Sequence, residues 1–162
     1  MALPVWSLLP SLSPTFSFII NWIPLARILA IDYGLKRTGL AVTDPLKIIA
    51  SALVTVDSKE LIPFLKDYLG KEQVELIIIG EPKNLDDTDT HATPLVERIV
   101  NEIKKNFPAI PIQKVDERFT SKMASRAMIE MGLKKKKRQD KALVDQIAAT
   151  IMLQEHLRMH SP

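Results

Sequence analysis

The chain contains no cysteine. Disulfides, thiol nucleophiles and cysteine-ligated zinc or iron–sulfur centres are therefore excluded. Histidine is scarce too, with His91, His156 and His160 as the full set. The last two stand four residues apart at the C-terminal tail, where a helix end favours cationic histidine rather than a metal pair. Charge is missing from one whole segment. None of the 22 basic and 19 acidic side chains lies in Met1 to Ala26, which holds both tryptophans (Trp6 and Trp22) and four of the 11 prolines. Long apolar runs are missing there as well. The longest proline-free stretch, Thr15 to Ile23, falls well short of the ~20 apolar residues that a membrane-spanning helix needs. A secretory signal would carry Lys or Arg ahead of its apolar run, and none is present. Residues 1–26 are therefore read as an uncharged leader, either an extension ahead of the true start of translation or a disordered or surface-docked arm. Residues 27–162 are expected to form a single domain, cytoplasmic and without membrane contact.

What is present fits such a domain. Hydrophobic residues make up 46% and charged residues 25% of the chain, the balance of an ordinary globular protein. No internal repeat or low-complexity tract is visible. Arg27 to Tyr33 is a short apolar run that ends at Asp32 and turns at Gly34, which predicts a buried strand. Thr38 to Thr43 and Ile48 to Val56 predict two more. The links between these three are too short for parallel crossovers, so the strands must form an antiparallel meander.

Ser58 is placed to cap a helix running to Leu69. Val74 to Gly80, apolar on both faces, predicts a central strand covered by helices. A polar stretch over Glu81 to Thr90 leads to a predicted helix over Thr93 to Phe107, with Leu95, Val96, Ile99, Val100 and Ile103 on one face. Ile110 to Val115 predicts the last strand. A helix capped at Thr120 or Ser121 should stop at Gly132. A basic loop, Lys134 to Arg138, precedes a final helix capped by Asp140, whose core face is expected at Val144, Ile147, Ala148 and Ile151. The order β-β-β-α-β-α-β-α-α implies an α/β fold with a five-stranded mixed sheet and helices on both faces.

Three acidic positions stand out within this frame. Asp32 ends an apolar strand, where an ionised group is costly unless it is paired or metal-bound. Asp116 and Glu117 follow the last strand. Adjacent side chains of an extended segment point to opposite faces, so one of the two should share a face with Asp32. Asp145 borders the core face of the last helix, near the small pair Ala148-Ala149. Strand-end and helix carboxylates gathered at one sheet edge repel unless a cation sits among them. Oxygen-only ligands suit Mg²⁺ or Mn²⁺, and two such ions about 4 Å apart can drive phosphodiester hydrolysis.

Four segments carry a resemblance. RILAIDYGLKRTGLAVTDP (Arg27 to Pro45), IIIGEP (Ile77 to Pro82), VDERFTS (Val115 to Ser121) and KKKKRQDKALVDQIAATIMLQEHL (Lys134 to Leu157) together resemble the YqgF family. That family is also described as Holliday-junction-resolvase-like, or as pre-16S rRNA nucleases. The likeness runs from Arg27 to about Leu157. It implies a ribonuclease H-like fold and a nuclease dependent on Mg²⁺ or Mn²⁺, with Asp32, Glu117 and Asp145 as catalytic and metal-binding acids. Lys36 and Arg37 match a basic turn beside the first acid. The chain departs from the family after Gly80-Glu81-Pro82, where Asp86-Asp87-Thr88 replaces the usual Asp-Gly.

The expected partner is nucleic acid, structured RNA or branched DNA. Phosphate contacts are expected from Lys36, Arg37, Arg118 and the run Lys134, Lys135, Lys136, Lys137 and Arg138. Aromatic residues are only 6% of the chain, which favours backbone or shape recognition over base readout. Precursor ribosomal RNA is the first expected substrate and a Holliday junction the alternative. Resolving a junction would call for a homodimer where RNA processing allows a monomer. A non-catalytic nucleic-acid-binding module of the same fold is the other rival. An actin-like ATPase shares the Asp-x-Gly turn but needs two lobes.

Overall fold

The computed structural model describes residues 25–81, 93–116 and 120–160. Strands β1 (Arg27–Tyr33), β2 (Arg37–Thr43) and β3 (Ala50–Asp57) form the predicted antiparallel meander. Helix α1 (Leu61–Leu69) leads to β4 (Val74–Glu81), and α2 (Thr93–Asn106) leads to β5 (Ile112–Asp116). Both later strands run parallel to their neighbours. The sheet order is β3-β2-β1-β4-β5. Helices α3 (Thr120–Glu130), α4 (Lys135–Arg138) and α5 (Lys141–His160) complete the chain. The fold is the expected five-stranded mixed α/β sheet.

Strand alternation sorts residues onto two unlike faces. Leu29, Ile31, Leu40, Ile77 and Ile79 pack with Leu61 and Leu65 of α1 and with Val96, Ile99, Val100 and Ile103 of α2. Each such fully buried side chain contributes about 1.5–3 kcal/mol. The opposite face carries small residues at its centre. Ile28, Ala30, Ala41 and Ile78 meet Ala149, Met152 and Leu153 of α5. Short side chains on both partners let α5 lie close to the sheet, and α3 packs on the outside of α5.

Several local expectations are corrected. The third strand begins at Ala50, not Ile48, and Ile48 and Ile49 are exposed. The Asp44 carboxylate accepts hydrogen bonds from the backbone N–H groups of Leu46, Ile48 and Ile49. That holds the segment in a turn, with Lys47 at φ 59°. Asp57 caps the turn that leads into α1, accepting from the Lys59 N–H, while Ser58 is buried elsewhere. The basic run is a helical turn, α4, rather than a loop. The face of α5 is rotated from the expected one. Ala148, Ala149, Met152, Leu153 and His156 are buried, whereas Val144, Ile147 and Ile151 are half-buried. Two expectations hold closely: Asp140 caps α5, accepting from Ala142 N–H at 3.0 Å, and Gly132 ends α3 in the left-handed region at φ +70°.

Candidate active site

Asp32 is the third of three β1 residues on the α5 face, after Ile28 and Ala30. Its register partner on β2 is Gly39. Directly paired residues of an antiparallel ladder share a face, so Asp32 and the bare Cα of Gly39 look toward the same helix. The backbone of Asp145 presses onto that Cα so closely that a Cβ would fall on the Asp145 carbonyl group and lie 3.0 Å from the Asp145 Cβ. Gly39 is thus a notch in β2 that seats α5 at Asp145.

Asp145 borders the buried stripe of α5, half-buried one turn before Ala149 and two before Met152. Three further hydrogen bonds hold this end of the helix. Thr55 Oγ1 donates to the Ala142 carbonyl at 2.7 Å, and the Asp140 side chain caps the first turn. Burial pushes the Asp145 carboxyl up from its ordinary range, opposed by the guanidinium of Arg37. Arg37 Nε donates to Asp145 Oδ2 at 3.1 Å.

The turn beside Asp32 is held by a polar cluster that sequence patterns did not reveal. Ser58 Oγ donates to the Gly34 carbonyl at 2.6 Å. Its oxygen therefore accepts from Thr38 Oγ1, 2.9 Å away and fully buried. The Ser58 N–H donates to the Lys36 carbonyl at 3.1 Å. Only the Asp-Ser step after β3 hinted at it, and that reads equally as a helix cap.

Asp116 is excluded from this face. It pairs with Glu81 and follows Lys114 by two residues. Lys114 bridges Glu81 and, on α2, Glu97, which is the side opposite α5. Glu117 and Arg118 lie outside the described residues. Among the described residues no group of three or more acidic or histidine side chains is positioned to hold a metal ion. The exposed Lys36 stands in the β1–β2 turn. Lys134, Lys135, Lys136 and Lys137 are exposed and Arg138 half-buried, just ahead of α5. A shallow depression there is lined by Gly132, Leu133, Lys134, Lys136, Lys137 and Asp140. No described helix is long and apolar enough to cross a membrane.

Known proteins resemble this chain over most of its length. A protein of Christiangramia forsetii, provisionally named a pre-16S rRNA nuclease, is 59% identical over 133 residues, spanning 82% of this chain and 98% of its own length. One from Flavobacterium psychrophilum with the same name is 57% identical over 133 residues, again 82% of this chain and 97% of its own. The structure of Thermus thermophilus RuvC in complex with Holliday junction substrate superposes with a TM-score of 0.51 at 18% identity, covering 84% of this chain and 97% of that one. That likeness shows a shared ribonuclease H-like fold. The profile of the RuvX family, described as Holliday junction resolvase, matches residues 26–159. The chain therefore belongs to the RuvX (YqgF) family.

Proposed function

We propose that this chain is a cytoplasmic nuclease that hydrolyses phosphodiester bonds in precursor 16S rRNA with the aid of Mg²⁺ or Mn²⁺. The observation that carries the reading is the seating of Asp145 on Gly39, the register partner of Asp32. Two carboxylates more than a hundred residues apart are thereby brought to one face of the sheet. The substrate follows the names of the relatives that align over 133 residues.

The donor chemistry suits a hard divalent cation. The acids are oxygen ligands in a half-buried setting, with no thiol in the chain. Asp32 and Asp145 would hold the ion together with Glu117, since Asp116 faces α2. Such an ion, when bound, polarises a phosphoryl oxygen and makes water a better nucleophile. The protein's own part is positional. The strand fixes Asp32, the Gly39 notch fixes Asp145, and the Ser58 cluster fixes the turn between Asp32 and Arg37. Lys36 and the Lys134 to Arg138 turn supply positive charge for flanking phosphates. The capping Asp140 is five residues before Asp145, about 7.5 Å along the helix axis, so the basic turn lies within a nucleotide or two of the acids.

The test uses the full chain with Mn²⁺ or Mg²⁺, offered a 5′-extended 16S rRNA fragment and a four-way DNA junction. Trimming of the RNA is expected, with loss of about 10²-fold or more in Asp32→Asn, Glu117→Gln and Asp145→Asn. Cleavage that survives all three rejects the site. Symmetric cutting of the junction by a homodimer, with the RNA untouched, favours the resolvase reading that the family description carries. Binding of either substrate without cleavage leaves a binding module.

A further inference from the structure

We propose that Arg37 is a resident counter-cation of the site, which holds the Asp145 carboxylate until a divalent ion displaces it. The inference rests on the nuclease reading above and adds an exchange step to it. Arg37 and Asp145 are 108 positions apart, yet Arg37 Nε lies 3.1 Å from Asp145 Oδ2. Arg37 opens β2 on the same face as Gly39, two residues further along. Its guanidinium thus stands in the site itself, not on an outer rim.

Which partner can move is settled by the surroundings. The Asp145 backbone is seated on Gly39, and the start of its helix is tied to β3 by Thr55 and capped by Asp140. Arg37 has a long, rotatable side chain that is 39% exposed, against 25% for Asp145. It can swing into solvent while the carboxylate stays in place.

The 3.1 Å contact with Arg37 keeps a cation beside the half-buried Asp145 carboxylate. Burial disfavours this carboxylate, and the hydrogen bond from the Arg37 guanidinium is the strongest opposing influence. Arginine remains charged at all working pH values, so it cannot relieve crowding by losing a proton. A doubly charged ion on the same carboxylate would sit within a few ångströms of the guanidinium and repel it. Exchange is therefore favoured over sharing. The freed guanidinium would remain at the mouth of the site, where a substrate phosphate can meet it.

Mn²⁺ binding to the full chain, followed by loss of the free-ion electron paramagnetic resonance signal, tests the exchange. Removing a competing half-exposed ion pair should tighten binding by about five-fold in Arg37→Gln. Asp145→Asn should abolish the binding. In wild-type protein, Mg²⁺ titration should shift the Arg37 Nε–H resonance and speed its exchange with solvent. That measurement decides the matter alone if Arg37→Gln does not fold. Unchanged or weaker Mn²⁺ affinity in a folded Arg37→Gln, or an Nε–H resonance that Mg²⁺ leaves in place, overturns the exchange while leaving the metal site standing. Wild-type protein without Asp145-dependent Mn²⁺ binding overturns the metal site and the exchange with it.

Discussion

Replacing Gly39 by alanine adds one methyl group at the point where the sheet meets the helix that carries Asp145. The added Cβ would lie on the Asp145 carbonyl group and 3.0 Å from its Cβ. Carbon atoms in ordinary contact are about 3.5–4.0 Å apart, so the helix must retreat by about 1 Å at Asp145. It cannot do so freely. Thr55 holds the Ala142 carbonyl at 2.7 Å, and Ala149, Met152 and Leu153 are packed against the sheet further along. Overpacking of this kind costs roughly 1–3 kcal/mol. A catalytic group displaced by about 1 Å can lose about 10²-fold in rate. The two effects are separable. Urea unfolding reads the stability, and Mn²⁺-dependent RNA cleavage per folded molecule reads the placement of Asp145. Gly70→Ala is the control. Gly70 lies far from the site in the right-handed region, at φ −73° and ψ −17°, and should change stability by no more than about 0.5 kcal/mol. Wild-type stability and rate in Gly39→Ala would refute the notch. Lost stability with an unchanged rate per folded molecule would refute its role in spacing the carboxylates.

Ser58→Ala should destabilise the fold by about 1–3 kcal/mol, because the buried Thr38 hydroxyl and the Gly34 carbonyl each lose a partner; chemical denaturation checks this. Asp145→Asn should abolish cleavage while leaving thermal stability at or above wild type, since burial already disfavours the charged form. Burial also lowers the proton affinity of His156, whose buried Nδ1 has no hydrogen-bond partner among the described residues. The unfolded chain takes up that proton more readily than the folded one. Stability should therefore be full above pH of about 6.5 and decline as pH falls below it. His156→Leu should flatten that decline in urea titrations, and an unaltered slope would count against the assignment.

The strands were legible because their signals are local. Ile77-Ile78-Ile79 is apolar on both faces, and only a central strand buries both. Short links forced the antiparallel meander, and Gly132 and Asp140 marked helix ends by their own chemistry. Legibility failed where a side chain outside the segment competed. Ile48 and Ile49 are β-branched and apolar, yet the Asp44 carboxylate holds their N–H groups in a turn. The histidine pair misled for a similar reason. His156 lies on the buried stripe of α5, with its ring stacked on His160 at 4.3 Å, rather than on a solvated tail.

The candidate site divides along the same line. The sequence alone singled out Asp32 and the Asp116-Glu117 step, because a carboxylate at the end of an apolar run is conspicuous in any fold, and Asp145, because it borders the apolar face of a helix. It pointed to the wrong face of α5, because Ala148, Ala149, Ile151, Met152 and Leu153 surround that helix and leave its periodicity nearly blank. Tertiary structure made the choice. The small residues of one sheet face, with Gly39 at their end, admit the helix only in the rotation that turns Asp145 inward. Strand alternation along β5 set Asp116 on the α2 face, and the seating of α5 brought Arg37, expected as a phosphate contact, to within 3.1 Å of Asp145. Chemical identity is carried residue by residue along the chain. How closely the helix of Asp145 approaches the sheet beside Asp32 is set by the missing Cβ of Gly39 on the neighbouring strand.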